Sequence, residues 1–386
     1  MTPRYGPDIV GGAETLCRLM AENLGANGAR VHVLTTCARD HFTWRNEVSA
    51  GESVENGVTV RRFPVSDARD QERWLALHGQ IDLGGPVDYA GQLEWMGNSV
   101  WSEEMLDAIA DRSSYDWIVA MPYLFGTSYW AVAERRERTC LIPCVHDEPH
   151  AWVPLVQQML TSARGCLLNS RGEADLIARI APGSQRRIVG IGYQPKARPP
   201  LAGVGSFCAA RGIAPGYLLY AGRREAAKGV PLLFSHYAAY RRSRPDCPPL
   251  ALMGSGDCPI PRELSRHVVE FGYVPEDELD TAFAGASVLL HPSRLESLGM
   301  VLLEAWLVGT PALVNAECVV LSDHVQQSNG GLCFSDEDDF CSGLDRLLGD
   351  RHLREQMTEN GARYVATEFS WQAVRGRFFG ALDEWS

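Results

Sequence analysis

The chain reads as an α/β protein built from two parallel-sheet domains in series. Three observations lead there. Short apolar runs at 117–120, 140–145, 166–168, 217–221, 250–254, 268–272 and 286–290 alternate with helical patterns, as in a parallel sheet wrapped by helices. The length of 386 residues suits two or three domains with ample cores. The segment 188–205 is rich in Gly and Pro and reads as a linker between the halves.

Composition narrows the class. Hydrophobic residues at 45% and charged residues at 22% are ordinary for a soluble globular protein. A formal net charge of −12 argues against sequence-independent binding to nucleic acid. It also disfavours broad adhesion to anionic lipid, while leaving room for a local basic patch and peripheral membrane contact. No apolar run approaches the ~20 residues of a spanning helix, and no signal peptide opens the chain, so a cytoplasmic protein is expected. The 11 cysteines are scattered without a C-x-x-C pair, and the Cys140–Cys144 spacing fits no standard zinc motif. Buried reduced thiols and no metal site are expected.

In order, residues 1–24 read as the tail of a strand, a glycine loop at Gly11 and Gly12, and a helix from about Ala13. Leu16, Leu19, Met20 and Leu24 form that helix's apolar face. Residues 31–35 and 58–63 are strand-like by β-branched content. The pattern then breaks from 66 to 101, with a helical stretch at about 71–78. Trp74, His78, Trp95 and Trp101 fall here. Aromatic residues at a cleft mouth stack on sugar rings, which points Trp74, His78 and Trp95 toward an acceptor; packing of an irregular insertion is the alternative. Further on, the runs at 140–145 and 166–168 end at polar residues, His146-Asp147-Glu148 and Asn169-Ser170. Ligands of parallel sheets sit beyond the carboxyl ends of strands, so His146 is placed for substrate contact.

The second domain opens with the strand 217–221, followed by Gly222, Arg223 and Arg224, then Lys228 and Gly229. The acidic stretch 336–339 reads as the first turn of a helix capped by Ser335. A last helix spans about 371–385. The stretch the rest serves is 291–311, HPSRLESLGMVLLEAWLVGTP. It follows the apolar run 286–290 and predicts a helix from about Leu298 to Val308, with Val301, Leu302, Ala305 and Val308 at helical spacing. Gly309, Thr310 and Pro311 end it. A helix's first turn attracts phosphate, and Gly299 lets backbone approach a ligand. Glu304 would lie about two turns, roughly 12 Å by helix rise, from Glu296. Two solvated glutamates on an amphipathic helix are the bland alternative.

Glu296 and Glu304, seven residues apart within P-S-R-x-E-S-x-G-x-V-x-x-E-A, resemble the E-x7-E signature of retaining glycosyltransferases of family 4. The resemblance covers nearly the whole chain and is strongest from Tyr217 to Pro311. It implies the GT-B fold, with two Rossmann-like α/β domains facing across a cleft and a C-terminal helix crossing back to the first. The expected domains are 1–192 on the acceptor side, 193–368 on the donor side, and 369–386 as the returning helix. Family members usually begin with a full apolar strand before the glycine loop, so a truncated first strand is expected here.

For the site, the resemblance implies that Glu296 faces the donor sugar and Glu304 holds the ribose. Ser297 belongs to the same loop, and the amides of Leu298, Gly299, Met300 and Val301 face the diphosphate and sugar. Gly11 and Gly12 fit the glycine loop near donor phosphate. Gly222, Arg223 and Lys228 fit a G-R…K-G pattern that clamps diphosphate, Arg223 being preferred over Arg224 by register. Val274 lies in the segment whose backbone meets the nucleobase, and His146 stands where the family directs a histidine at the sugar. The family's N-G-V-D-like linker sequence is replaced by Gly190-Ile191-Gly192-Tyr193. The expected activity is transfer of a sugar from a UDP- or GDP-linked donor to a hydroxyl acceptor, with retention, no cofactor and no metal. Two readings compete: an epimerase or hydrolase of nucleotide sugars, and a non-catalytic binding protein.

Overall fold

The computed structural model describes residues 1–9 and 11–386. The chain divides into two compact units, Met1–Gly192 with Trp371–Ser386, and Tyr193–Ser370.

In the first unit, β1 (His32–Thr36), β2 (Gly51–Glu55) and β3 (Val58–Phe63) form a sheet in the order β1-β3-β2. β1 and β3 are parallel, whereas β2 and β3 are antiparallel. The β2–β3 turn runs through Asn56 and Gly57, both at positive φ, which is the Asn-Gly chemistry of a tight hairpin. β2 lacks an apolar face, because it lies exposed at the sheet edge, and so it left no hydrophobic signal.

β4 (Ile118–Ala120), β5 (Thr139–Leu141), β6 (Gly165–Leu168) and β7 (Arg186–Ile188) form a second, wholly parallel sheet in chain order. The run 140–145 does not stay extended to its end: β5 stops at Leu141, since Pro143 has no N–H for a ladder and Cys144 turns to φ 53°. The first residues of the chain bond to both sheets. Thr2 N–H donates to Leu34 C=O at 3.1 Å, and Met121 N–H donates to Met1 C=O at 3.0 Å.

The helices Gln71–Asp82 and Tyr89–Gly97 occupy the irregular stretch, each capped by an aspartate, Asp70 and Asp88. Trp95 is 0% exposed and belongs to the core with Met96, Met105, Ile109 and Leu155. The expectation that it lines a cleft mouth is therefore corrected, because an enclosed indole has no face left for a ligand. Trp74 stacks on His78 at 4.4 Å, and His78 on His150 at 4.0 Å, so these rings spend their faces on one another. The last helix, Trp371–Trp385, packs on β6 and β7 within this unit.

In the second unit, β8 (Tyr217–Ala221), β9 (Leu250–Met253), β10 (Val268–Gly272), β11 (Ala286–His291), β12 (Ala312–Asn315) and β13 (Gly331–Phe334) form one parallel sheet in the order β10-β9-β8-β11-β12-β13. β8, β9 and β12 are buried along their whole length, as sheets covered on both faces require. Three local expectations are corrected. The helix Leu201–Ala210 takes up the end of the segment read as linker. Asp336, not Ser335, caps the helix Glu337–Gly349, its carboxylate accepting from Asp339 N–H at 2.8 Å. The helix after β11 begins at Met300 rather than Leu298, because Gly299 sits at φ 74°. Among the described residues, no helix is long and apolar enough to cross a membrane.

Candidate active site

In the second unit the strand order reverses between β8 and β11. β8 leads outward to β9 and β10, while β11 leads the opposite way to β12 and β13. The loops leaving the carboxyl ends of these neighbours part at this switch point, the position at which ligands of such sheets generally bind. The loop after β8 carries Gly222, Arg223 and Lys228. The loop after β11 carries Glu296 to Gly299.

The two loops meet through charge. Lys228 Nζ donates to Glu296 Oε1 at 2.8 Å and to Leu295 C=O at 3.2 Å. Both side chains are mostly covered, at 23% and 16% exposure, so each stabilises a charge that burial alone would penalise. The backbones also touch. Gly229 adopts φ 75°, and a Cβ there would stand 2.4 Å from Pro292 C=O. Only glycine permits both the left-handed turn and this approach.

Gly299 is the N-cap of the helix Met300–Leu307. Glu304 lies on this helix and Glu296 in the loop before it, so the separation of about 12 Å reckoned from helix rise does not apply. The loop is anchored from behind by His324, whose Nε2 lies 2.9 Å from Leu298 C=O while Nδ1 lies 2.9 Å from the Tyr364 hydroxyl. A carbonyl only accepts, so Nε2 carries the proton and Nδ1 accepts from Tyr364. Burial lowers the His324 pKa to about 4, keeping the ring neutral. Nothing in its sequence context marked His324, because its partners come from elsewhere in the chain.

The structure separates the two arginines. Arg224 is bonded to Glu270 of β10 and is 17% exposed, whereas Arg223 is 55% exposed and reaches Glu225 at 3.1 Å. Arg223 is thus the one that can turn to a ligand without leaving a buried partner. Gly222 lies at φ 141°, between β8 and the arginines. Val274 is buried. Leu298 is buried too, while Met300 and Val301 open the helix.

Glu304 is half-buried on that helix. Burial raises its pKa to about 7, with Asp280 and Glu276 adding to the rise and Lys196 opposing it. A carboxyl so poised suits hydrogen bonding to sugar hydroxyls.

In the first unit, Gly11 and Gly12 open the helix Gly12–Ala26, and Glu14 of its first turn pairs with Arg4. His146 lies beyond β5, its Nδ1 3.8 Å from Glu148 Oε1. Glu148 in turn accepts from the Tyr123 hydroxyl at 2.6 Å. The loop ends are tied by Glu173, which is wholly buried. One oxygen accepts from Val145 N–H at 2.8 Å and the other from Asn169 N–H at 2.6 Å. Burial raises its pKa to about 8, against the pull of those amides. The sequence did bear a sign of it: Ser170 and Glu173 have the S-x-x-E spacing of a helix start, and Glu173 N–H donates to Ser170 Oγ at 3.1 Å.

A doubly wound sheet with a lysine–carboxylate pair at its switch point suits an anionic ligand, and the fold is that of the GT-B glycosyltransferases. Comparison with known proteins agrees. Residues 213–364 match the family described as glycosyl transferases group 1. A D-inositol 3-phosphate glycosyltransferase of Jonesia denitrificans is 26% identical over 95% of this chain and 89% of its own. An uncharacterized glycosyltransferase of Methanocaldococcus jannaschii is 30% identical, over 41% of this chain and 42% of that protein. Among solved structures, sucrose-phosphate synthase of Thermosynechococcus elongatus has a TM-score of 0.74 at 18% identity, covering 98% of this chain and 95% of that one. HepE of Anabaena, solved in complex with UDP, has a TM-score of 0.71 at 14% identity, covering 99% and 98%. The match over residues 213–364 and these likenesses are in line with the E-x7-E resemblance to family 4.

Proposed function

We propose that the protein transfers a hexose from a nucleoside-diphosphate sugar, UDP-linked in the first instance, to a hydroxyl acceptor with retention of anomeric configuration. The observation that carries this reading is the meeting of Lys228 and Glu296, 68 residues apart, at the switch point of the second sheet. Cleavage of the donor builds negative charge on the departing diphosphate and positive charge on the sugar ring. Lys228, Arg223 and the first amides of the helix Met300–Leu307 would stabilise the diphosphate without a metal ion or cofactor. Ser297 and the backbone of Leu298 and Gly299 belong to the same cradle. Glu296, released from Lys228 by the phosphate, would orient the sugar. Glu304 would hold the ribose, the backbone at Val274 the base, and His146 the sugar from the first unit.

The relatives named for D-inositol 3-phosphate suggest a polyol phosphate as the first acceptor to try. HepE's complex with UDP favours the uridine donor. We place the enzyme in the cytoplasm, serving polysaccharide or glycoside assembly. The test is turnover of UDP-glucose and GDP-mannose by wild type, Glu296→Gln and Lys228→Ala, with the product's anomeric proton followed by NMR. Near wild-type rates in both variants would remove the proposal. Loss of activity with EDTA would overturn its metal-free part.

A further inference from the structure

The loop that carries Glu296 rests on the helix Val319–Ser328, which reaches it with two side chains. Leu321 lies under Gly299, where a Cβ would stand 2.6 Å from Leu321 Cδ2. His324, three positions on and so on the same face of the helix, is 1% exposed. Its Nε2–H donates to Leu298 C=O at 2.9 Å, and the hydroxyl of Tyr364, on the helix Arg351–Glu368, lies 2.9 Å from Nδ1.

The bond to Leu298 C=O fixes more than the carbonyl. The Leu298–Gly299 peptide is trans and planar, so its C=O and N–H point in opposite directions. With the carbonyl drawn to His324, the Gly299 N–H is turned to the side away from that helix. Gly299 is buried, and among the described residues its N–H has no acceptor. Buried amides are nearly always paired, so an acceptor from outside the chain accounts for this one. The glycine itself does not choose the direction. It sits at φ 74°, yet it accepts φ of either sign, so the peptide plane could make a half-turn.

We propose that His324 is a positioning residue for the donor: by holding Leu298 C=O it keeps the Gly299 N–H preset as a hydrogen-bond donor to the diphosphate. A donor fixed beforehand loses no orientation when the anion arrives. Burial keeps the imidazole neutral, with its pKa lowered to about 4, so the ring offers one N–H and spends it on the loop. This inference rests on the proposed use of the loop amides for donor phosphate.

The test compares His324→Leu, which removes the N–H, with His324→Gln, whose side-chain amide returns one near the Nε2 position. Affinity for UDP or GDP, whichever wild type binds tighter, is measured by calorimetry, and affinity for the matching nucleoside by ligand-observed NMR. In His324→Leu, diphosphate affinity should fall about tenfold or more while nucleoside affinity stays within about twofold of wild type. His324→Gln should recover diphosphate affinity to within about threefold. Unchanged diphosphate affinity in His324→Leu overturns the inference, and so does equal impairment in both variants. An equal fall for diphosphate and nucleoside also overturns it, because that marks a packing role.

A crystal structure of wild type with the diphosphate bound reads the same point without a variant. A phosphate oxygen should stand within about 3.2 Å of Gly299 N, with His324 Nε2 still on Leu298 C=O; phosphate beyond about 3.5 Å, or a turned peptide plane, refutes the inference. If wild type binds neither UDP nor GDP, the proposed function fails and the inference falls with it. If wild type binds one of them and His324→Leu binds it equally well, the inference fails alone.

Discussion

Replacing Gly229 by alanine should destabilise the second unit more than a substitution at a left-handed glycine whose Cβ would meet nothing. Two costs combine at this position. The backbone is left-handed at φ 75°, which costs a residue with a Cβ about 1–2 kcal/mol. The new Cβ would also stand 2.4 Å from Pro292 C=O and 2.8 Å from its carbonyl carbon. Those are backbone atoms of the loop that carries Glu296, so relief requires the two loops to part. Overpacking of this kind costs about 1–3 kcal/mol. The expected loss is about 2–5 kcal/mol.

Gly212 is the internal control. It too is left-handed, at φ 65°, but a Cβ there meets nothing within 4 Å. Gly212→Ala should lose only the conformational part, about 1–2 kcal/mol. Urea unfolding of both variants gives the difference, which isolates the clash. The same parting of loops should pull Lys228 from Glu296, so Gly229→Ala should weaken UDP binding while Gly212→Ala does not. Equal destabilisation of the two variants would refute the argument that backbone contact between these loops shapes the site.

Three further outcomes follow from the structure. Glu304 holds its proton up to about pH 7, against an ordinary value of 4.5, so between those values the folded state binds more protons than the unfolded one. Its contribution to stability is therefore present below pH 4.5 and fades as pH rises through 7, and Glu304→Gln should flatten that slope in urea midpoints taken at pH 5, 6 and 7.5. Glu173→Ala strands the amides of Val145 and Asn169 in the interior, for a loss of about 2–6 kcal/mol, and Glu173→Gln, which keeps one acceptor, should lose distinctly less in a thermal melt. Trp385 is 1% exposed and lies against Gly165 of β6, so Trp385→Ala should cost about 3–5 kcal/mol, seen as a lower denaturation midpoint of the first unit.

Much of this protein was legible in short-range pattern. Apolar runs of strand length alternating with helical periodicity announced the α/β class, since burial on both faces of a parallel sheet demands such runs. Glycines at turns and the spacing of Glu296 and Glu304 marked the candidate residues, because those features are carried within about a dozen positions. What crosses the sheet was not legible. β2 pairs at an exposed edge and has no apolar stripe to betray it. Trp95 and His78 pack inward on His150, a partner 72 residues beyond His78, which no local count of aromatics foretells.

Arg224 is held by Glu270 of β10, and Leu298 is anchored by His324, both partners distant in the chain. The meeting of Lys228 with Glu296 needed β8 and β11 to be neighbours. Periodicity is a property of consecutive residues, whereas strand order, and with it the partner of every buried charge, is decided by how distant segments share one interior. The sequence alone carried the glycine, arginine, lysine and glutamate motifs; the tertiary structure decided which of those residues stand together and which are held neutral by burial.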